Sequence, residues 1–160
     1  MMKRREKNKG FTLVELIVVL VILAILAAIL VPALLGYIDS ARSKQTVLNA
    51  RSAMTAAQAE MSTIYAKGID PAKISDAPYK DEVASTADLD GLKCTSLVVA
   101  CKTNWKNPTT TGNPSIKEQH DAYTIAYVKY TDNTGTVYYV DGSWVDTDPS
   151  YSATTTYTVK

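Results

Sequence analysis

From Leu16 to Val31 every residue is apolar, and across the wider stretch Phe11 to Leu35 the only charge is Glu15. At ~1.5 Å of rise per residue, a helix of that length crosses the hydrocarbon of a bilayer, which takes about 20 residues. A helix that packs one side on a soluble core shows a polar side as well. This run shows none before Tyr37 and Asp39, which predicts a membrane helix and limits the rest of the chain to one modest folded domain.

The segment ahead of the run is basic, with Lys3, Arg4, Arg5, Lys7 and Lys9 against Glu6. These five outnumber the nearest bases after the run, Arg42, Lys44 and Arg51, so the leader is expected inside the cell and the C-terminal bulk outside. The formal net charge is +1, from 17 basic and 16 acidic residues; removing the five bases and one acid of the leader leaves 12 against 15, a net of −3. Nucleic-acid affinity comes largely from clustered Lys and Arg, so the balance argues against direct nucleic-acid binding.

Three fates compete for such an N-terminus. A secretory signal would be removed after a small-residue site, and Val31-Pro32-Ala33 loosely fits one. An uncleaved single-pass anchor is the second. The third is cleavage ahead of the apolar run, which keeps the run in the mature chain.

The stretch Lys9-Gly10-Phe11-Thr12-Leu13-Val14-Glu15-Leu16 resembles the processing site of type IV prepilins and the related pseudopilins. The resemblance covers residues 7 to 66 and is architectural beyond them. It implies that a membrane aspartyl peptidase cuts between Gly10 and Phe11 and methylates the new N-terminus at Phe11. It also implies polymerisation with copies of the same chain and with minor pilins, helped by an assembly platform protein and an assembly ATPase. Ala24 departs from the pattern, standing where many relatives place a helix-weakening glycine.

Glu15 demands an explanation in its own right, because a carboxylate in hydrocarbon costs on the order of 3 kcal/mol on insertion scales. Cleavage after Gly10 would place a new α-amine on Phe11, four residues away and within pairing reach along a helix. The resemblance implies that this amine, on a neighbouring subunit, meets Glu15 during growth. A glutamate snorkelling at the interface is the plainer alternative. Pro32 has no N–H and opposes the carbonyl of Ala28, so a kink or loosening is expected there.

After the span, Val47, Ala50, Met54, Ala57, Met61 and Ile64 recur at three and four residues, one stripe of a helix that Gly68 and Pro71 end. A loop with a short helix near Asp81 to Leu89 follows. Strands are expected at Leu97–Ala100, Ala122–Tyr130, Thr136–Val140 and Thr154–Val159, with a turn over Thr131–Gly135. The expected fold is α+β and pilin-like: a long N-terminal helix, transmembrane in its first half and amphipathic in its second, on a small antiparallel sheet. Its parts are a leader, 1–10, a membrane or filament-core helix, 11–35, an amphipathic half-helix, 36–67, and a loop-and-sheet region, 68–160.

Cys94 and Cys101 are seven apart, too far to bridge along a straight strand or helix, so a disulfide demands a turn between them. Two buried thiols are the other outcome. His120-Asp121 is the sole hint of catalytic chemistry and reads more simply as a solvated surface pair. Asp141, Asp146 and Asp148 offer oxygen ligands for calcium but lack the EF-hand spacing, so no metal, cofactor or catalytic residue is assigned. The ten tyrosines suit sheet packing and subunit contacts, and Thr109–Thr111 and Thr154–Thr156 read as exposed β-formers or O-glycan acceptors.

The expected function is a structural subunit of a surface pilus, made as a single-pass precursor in the cytoplasmic membrane with its N-terminus inside. A pseudopilin of a type II secretion or competence DNA-uptake system is the nearest alternative. An uncleaved, membrane-tethered binding domain is the alternative from another class.

Overall fold

The computed structural model describes residues 10–104, 115–140, 142–151 and 155–160. Helix α1 runs Leu13–Ala66 and includes Pro32 without interruption, so the loosening expected at that residue takes no form of a helix break. A membrane-length helix tolerates one missing N–H because the neighbouring turns hold the rest of the ladder. The chain divides into two compact units, one ending at Ala41 and the other beginning at Arg42.

Helix α1 ends on a Schellman motif. Gly68, at φ +66°, donates its N–H to Tyr65 O at 2.9 Å, and Ile69 donates to Ile64 O at 3.3 Å. The left-handed turn needs a residue without a Cβ. It folds Ile69 back against the same core as Ile64. A 3-10 turn, Pro71–Ser75, follows, started by Asp70, whose carboxylate accepts from Ala72 N at 2.8 Å. Helix α2 is Tyr79–Thr86, close to the short helix expected there.

Five antiparallel strands follow: β1 Ser96–Cys101, β2 Ile125–Thr131, β3 Thr136–Val140, β4 Ser143–Val145 and β5 Thr156–Thr158, in the spatial order β4-β3-β2-β1-β5. Between β1 and β2 stands α3, Ile116–Asp121, with a full capping box of Ser115 and Glu118. Ala122 and Tyr123, expected in a strand, instead close this helix: Ala122 N donates to Glu118 O and Tyr123 N to His120 O.

The second half of α1 packs on one face of this sheet, the pilin-like α+β arrangement. Thr46, Ala50, Ala53, Ala56, Ala57, Met61 and Ile64 are buried, with Val47 and Met54 half-buried beside them. The helix stripe is mostly alanine, which lets the two layers approach closely, while the sheet supplies bulk from Leu97, Val99, Val128, Tyr130 and Val137. Tyr130 is the largest fully buried side chain, and its hydroxyl finds no hydrogen-bond partner. The opposite sheet face carries a second, small cluster of Ala100, Tyr127 and Tyr138. A register shift between Ala100 and Cys101 separates these faces, since Cys101 pairs with Ile125 but Ala100 with Tyr127. The extra residue, Ala126, turns Ile125 to the helix side and Tyr127 to the other.

The strand order forces a long connection. β4 and β5 lie at opposite edges, and Tyr151, on the connection between them, packs against the sheet. Its ring is stacked on Tyr127 of the central strand with centroids 4.8 Å apart and planes 12° from parallel. The hairpin turn of β2 and β3 is held from within and from α1. Buried Asp132 accepts from Thr134 N at 2.8 Å and Gly135 N at 3.2 Å, and Asn49 Nδ2 lies 3.5 Å from its other oxygen. Thr46 and Thr134 share a hydroxyl hydrogen bond beside it.

Candidate functional site

The candidate processing site lies just ahead of α1. Gly10 and Phe11 are non-helical and exposed, Phe11 by 84%. An added Cβ at Gly10 would meet nothing within 4 Å. Among the described residues no contact therefore calls for glycine at position 10.

The helix starts where it does because Thr12 and Glu15 form a capping box. Glu15 Oε2 accepts from Thr12 N at 2.9 Å and from Thr12 Oγ1 at 2.6 Å, and Thr12 Oγ1 in turn accepts from Glu15 N at 3.3 Å. The carboxylate thus has local partners before any new amine exists at Phe11. Sequence reasoning missed this, although Thr-x-x-Glu ahead of an apolar run is the signature of such a box. The pairing expected of Glu15 after cleavage has a competitor one residue nearer in sequence: Thr12 stands between Phe11 and Glu15.

From Leu13 to Leu35 the apolar side chains of α1 are exposed on all sides, half or more of each at most positions. Among the described residues this is the one helix long and apolar enough to cross a membrane, with a mean hydropathy of 3.3 over its best window and none of that window buried. Ala24 and Pro32 both lie inside the helical run.

The remaining sequence candidates stand apart from one another. Cys94 and Cys101 are buried thiols, not a disulfide. The turn that a bridge would need is absent because Ser96–Cys101 is an extended strand. Burial pushes both thiols up, Cys101 to about 12. His120 lies on α3 with its ring edge-on to Tyr65 at 5.3 Å. Asp121, its neighbour, is held by Lys117 Nζ at 2.8 Å, and that hydrogen bond keeps its carboxyl below the ordinary range. Among the described residues no hydrogen bond joins Asp121 to His120.

Asp146 and Asp148 follow β4, a strand the sequence reading did not anticipate. Asp148 accepts from Ser150 N at 2.9 Å, closing a local turn. No group of three or more potential metal-ligating side chains occurs among the described residues. Asp141, residues 1–9, Thr109–Thr111 and Thr154 lie outside the described residues.

With this geometry in place, the comparison with known families is informative. Residues 5–31 match the prokaryotic N-terminal methylation motif. The chain is therefore type IV prepilin-like at its N-terminus, and the motif implies processing by a prepilin peptidase. Proteins of this pilin-like kind are typically structural and non-enzymatic. Neither a curated protein nor a solved structure matches the chain.

Proposed function

We propose that the chain is the structural subunit of a type IV pilus. It is made as a single-pass precursor of the cytoplasmic membrane, cut between Gly10 and Phe11, methylated on Phe11 and polymerised through its apolar helix into a surface filament. One observation carries this reading: a methylation motif over residues 5–31 leads into a helix whose apolar side chains have no cover in the folded chain. Lipid covers them in the precursor and other copies of the helix cover them in a filament, so assembly exchanges one apolar environment for another. The parts follow as leader, 1–10, filament-core helix, 11–35, amphipathic half-helix, 36–67, and outer domain, 68–160. A prepilin peptidase with methyltransferase activity, an assembly platform protein, an assembly ATPase and minor pilins complete the machinery that this reading requires.

A pseudopilin of a type II secretion or DNA-uptake system is a second reading, supported by the same motif, which ends at residue 31, ahead of the globular unit. Intact mass and N-terminal sequencing of the membrane-extracted protein test both. A chain beginning at N-methylated Phe11 supports them, and a chain beginning at Met1 marks a tethered binding domain instead. Long filaments outside the cell then separate a pilin from the short fibre of a pseudopilin.

A further inference from the structure

The globular unit from Arg42 onward segregates its charge. Lys44, Leu48 and Arg51 are exposed and fall four and three residues apart, which places them in one row along α1. Leu48 is 58% exposed, between two cations about 10 Å apart along the axis. An apolar centre with a charged rim is the anatomy of a protein contact. The row lies off the buried stripe of Thr46, Ala50, Ala53 and Ala57, so the sheet does not cover it.

The opposite charge gathers on the segment that follows α1. Residues 76–90 hold five acids, Asp76, Asp81, Glu82, Asp88 and Asp90, against Lys80 alone. Two of the five are neutralised within the chain, Asp76 by Lys73 and Asp90 by Lys160. Asp81, Glu82 and Asp88 are exposed, and among the described residues none of the three is in an ion pair. The same holds for Lys44 and Arg51. One chain thus carries exposed charges of both signs that, among the described residues, are not in ion pairs with one another. Without the leader the net charge is −3, so copies gain where unlike charges meet locally rather than through a neutral whole.

We infer that the Lys44–Leu48–Arg51 row of α1 is a contact surface for a second copy of this chain, which presents Asp81, Glu82 and Asp88. The contact is heterologous, since the two faces differ, and a heterologous contact that does not close into a ring propagates as a filament. This inference rests on the subunit reading above and adds to it the lateral contact between outer domains.

Charge exchange tests it in full-length protein in its own membranes. Lys44→Glu with Arg51→Glu, and separately Asp81→Lys with Glu82→Lys, are each expected to lower filament yield by about tenfold. The fourfold variant is expected to recover most of the loss. Yields that ignore the reversals, or a fourfold variant that fails to recover, overturn the contact. A second arm pairs Leu48→Cys with Asp81→Cys under mild oxidation. The native thiols are buried, so a disulfide-linked dimer of the double variant, absent from either single variant, supports the contact, and its absence overturns it. N-terminal mass is read in parallel. A chain that starts at Phe11 but assembles regardless of these charges sinks the contact and leaves the subunit reading standing. A chain never cut sinks the subunit reading, while the cross-link still decides the contact.

Discussion

Glu15 Oε2 accepts two hydrogen bonds from one residue, the amide of Thr12 at 2.9 Å and its hydroxyl at 2.6 Å. The carboxylate that must enter an apolar environment is thus solvated by its own chain first. Glu15→Val is expected to be inserted and processed yet to assemble poorly, because it removes both the cap and the charge. Thr12→Val keeps the charge and the amide and loses only the hydroxyl, so its filament yield should fall between wild type and Glu15→Val. The cap itself is worth about 1 kcal/mol. Thr12→Ser should behave as wild type. Filament yield in sheared fractions, normalised to cell-bound subunit, checks the order, and a normal yield from Glu15→Val would defeat the role given to this carboxylate.

Gly10→Val should leave the fold unchanged, because a side chain at position 10 meets no neighbour among the described residues. Its whole effect is expected at cleavage: an uncut chain by mass spectrometry, with a wild-type melting temperature. A shift in melting temperature would contradict the open surroundings of this residue.

Asp132→Ala should destabilise the outer domain by about 2 kcal/mol, since it removes the buried carboxylate that accepts from Thr134 N and Gly135 N and lies beside Asn49 of α1. Asp132→Asn keeps one acceptor oxygen and should cost less. Denaturant midpoints of the detergent-solubilised chain give both values.

Stability should fall as pH climbs from about 9 towards 12. Burial pushes the Cys101 thiol and the Tyr157 hydroxyl up to about 12, from ordinary values of 9.0 and 10.0. Between those limits the unfolded chain has lost protons that the folded chain keeps, so ionisation favours unfolding. Below the ordinary values the contribution is complete. A stability profile flat from pH 8 to pH 11.5 would contradict the burial of these groups.

Both native thiols should resist a soluble thiol reagent until the fold opens. Cys94 is 4% exposed and Cys101 1%, and neither is drawn towards the reactive thiolate. Two equivalents of label in denaturant and none without it are expected.

The elements legible in the sequence were those with long or repeated signals. The span announces itself by length, the α1 stripe by its three-and-four spacing, and the β2–β3 hairpin by Tyr-, Ile- and Val-rich runs on either side of a polar turn. What escaped was short. β4 is three residues, too few to show a period, and lies among acids that read as a turn. α3 is six residues with a Ser115–Glu118 cap that the neighbouring strand-like Ala122–Tyr130 run obscured. The Thr12–Glu15 cap was hidden for another reason: Glu15 already had an explanation as the partner of an amine, and the nearer hydroxyl was not weighed. The thiols required knowledge that β1 is straight between its neighbours, which spacing alone does not supply.

The strand order has a consequence for how the protein is made. β5, the last of the five strands described, pairs with β1, the first, at Val98, Val99 and Ala100. During synthesis and export that flank of β1 waits unpaired while β2, β3 and β4 zip onto the other side. Val159 and Lys160 add bonds to Leu97 only at the end. A chain stalled or clipped shortly before Tyr157 would therefore present an open, hydrogen-bond-hungry border to any other chain it meets. Completion of the last strand is what turns a sticky nascent domain into one that associates only through the surfaces left on its outside.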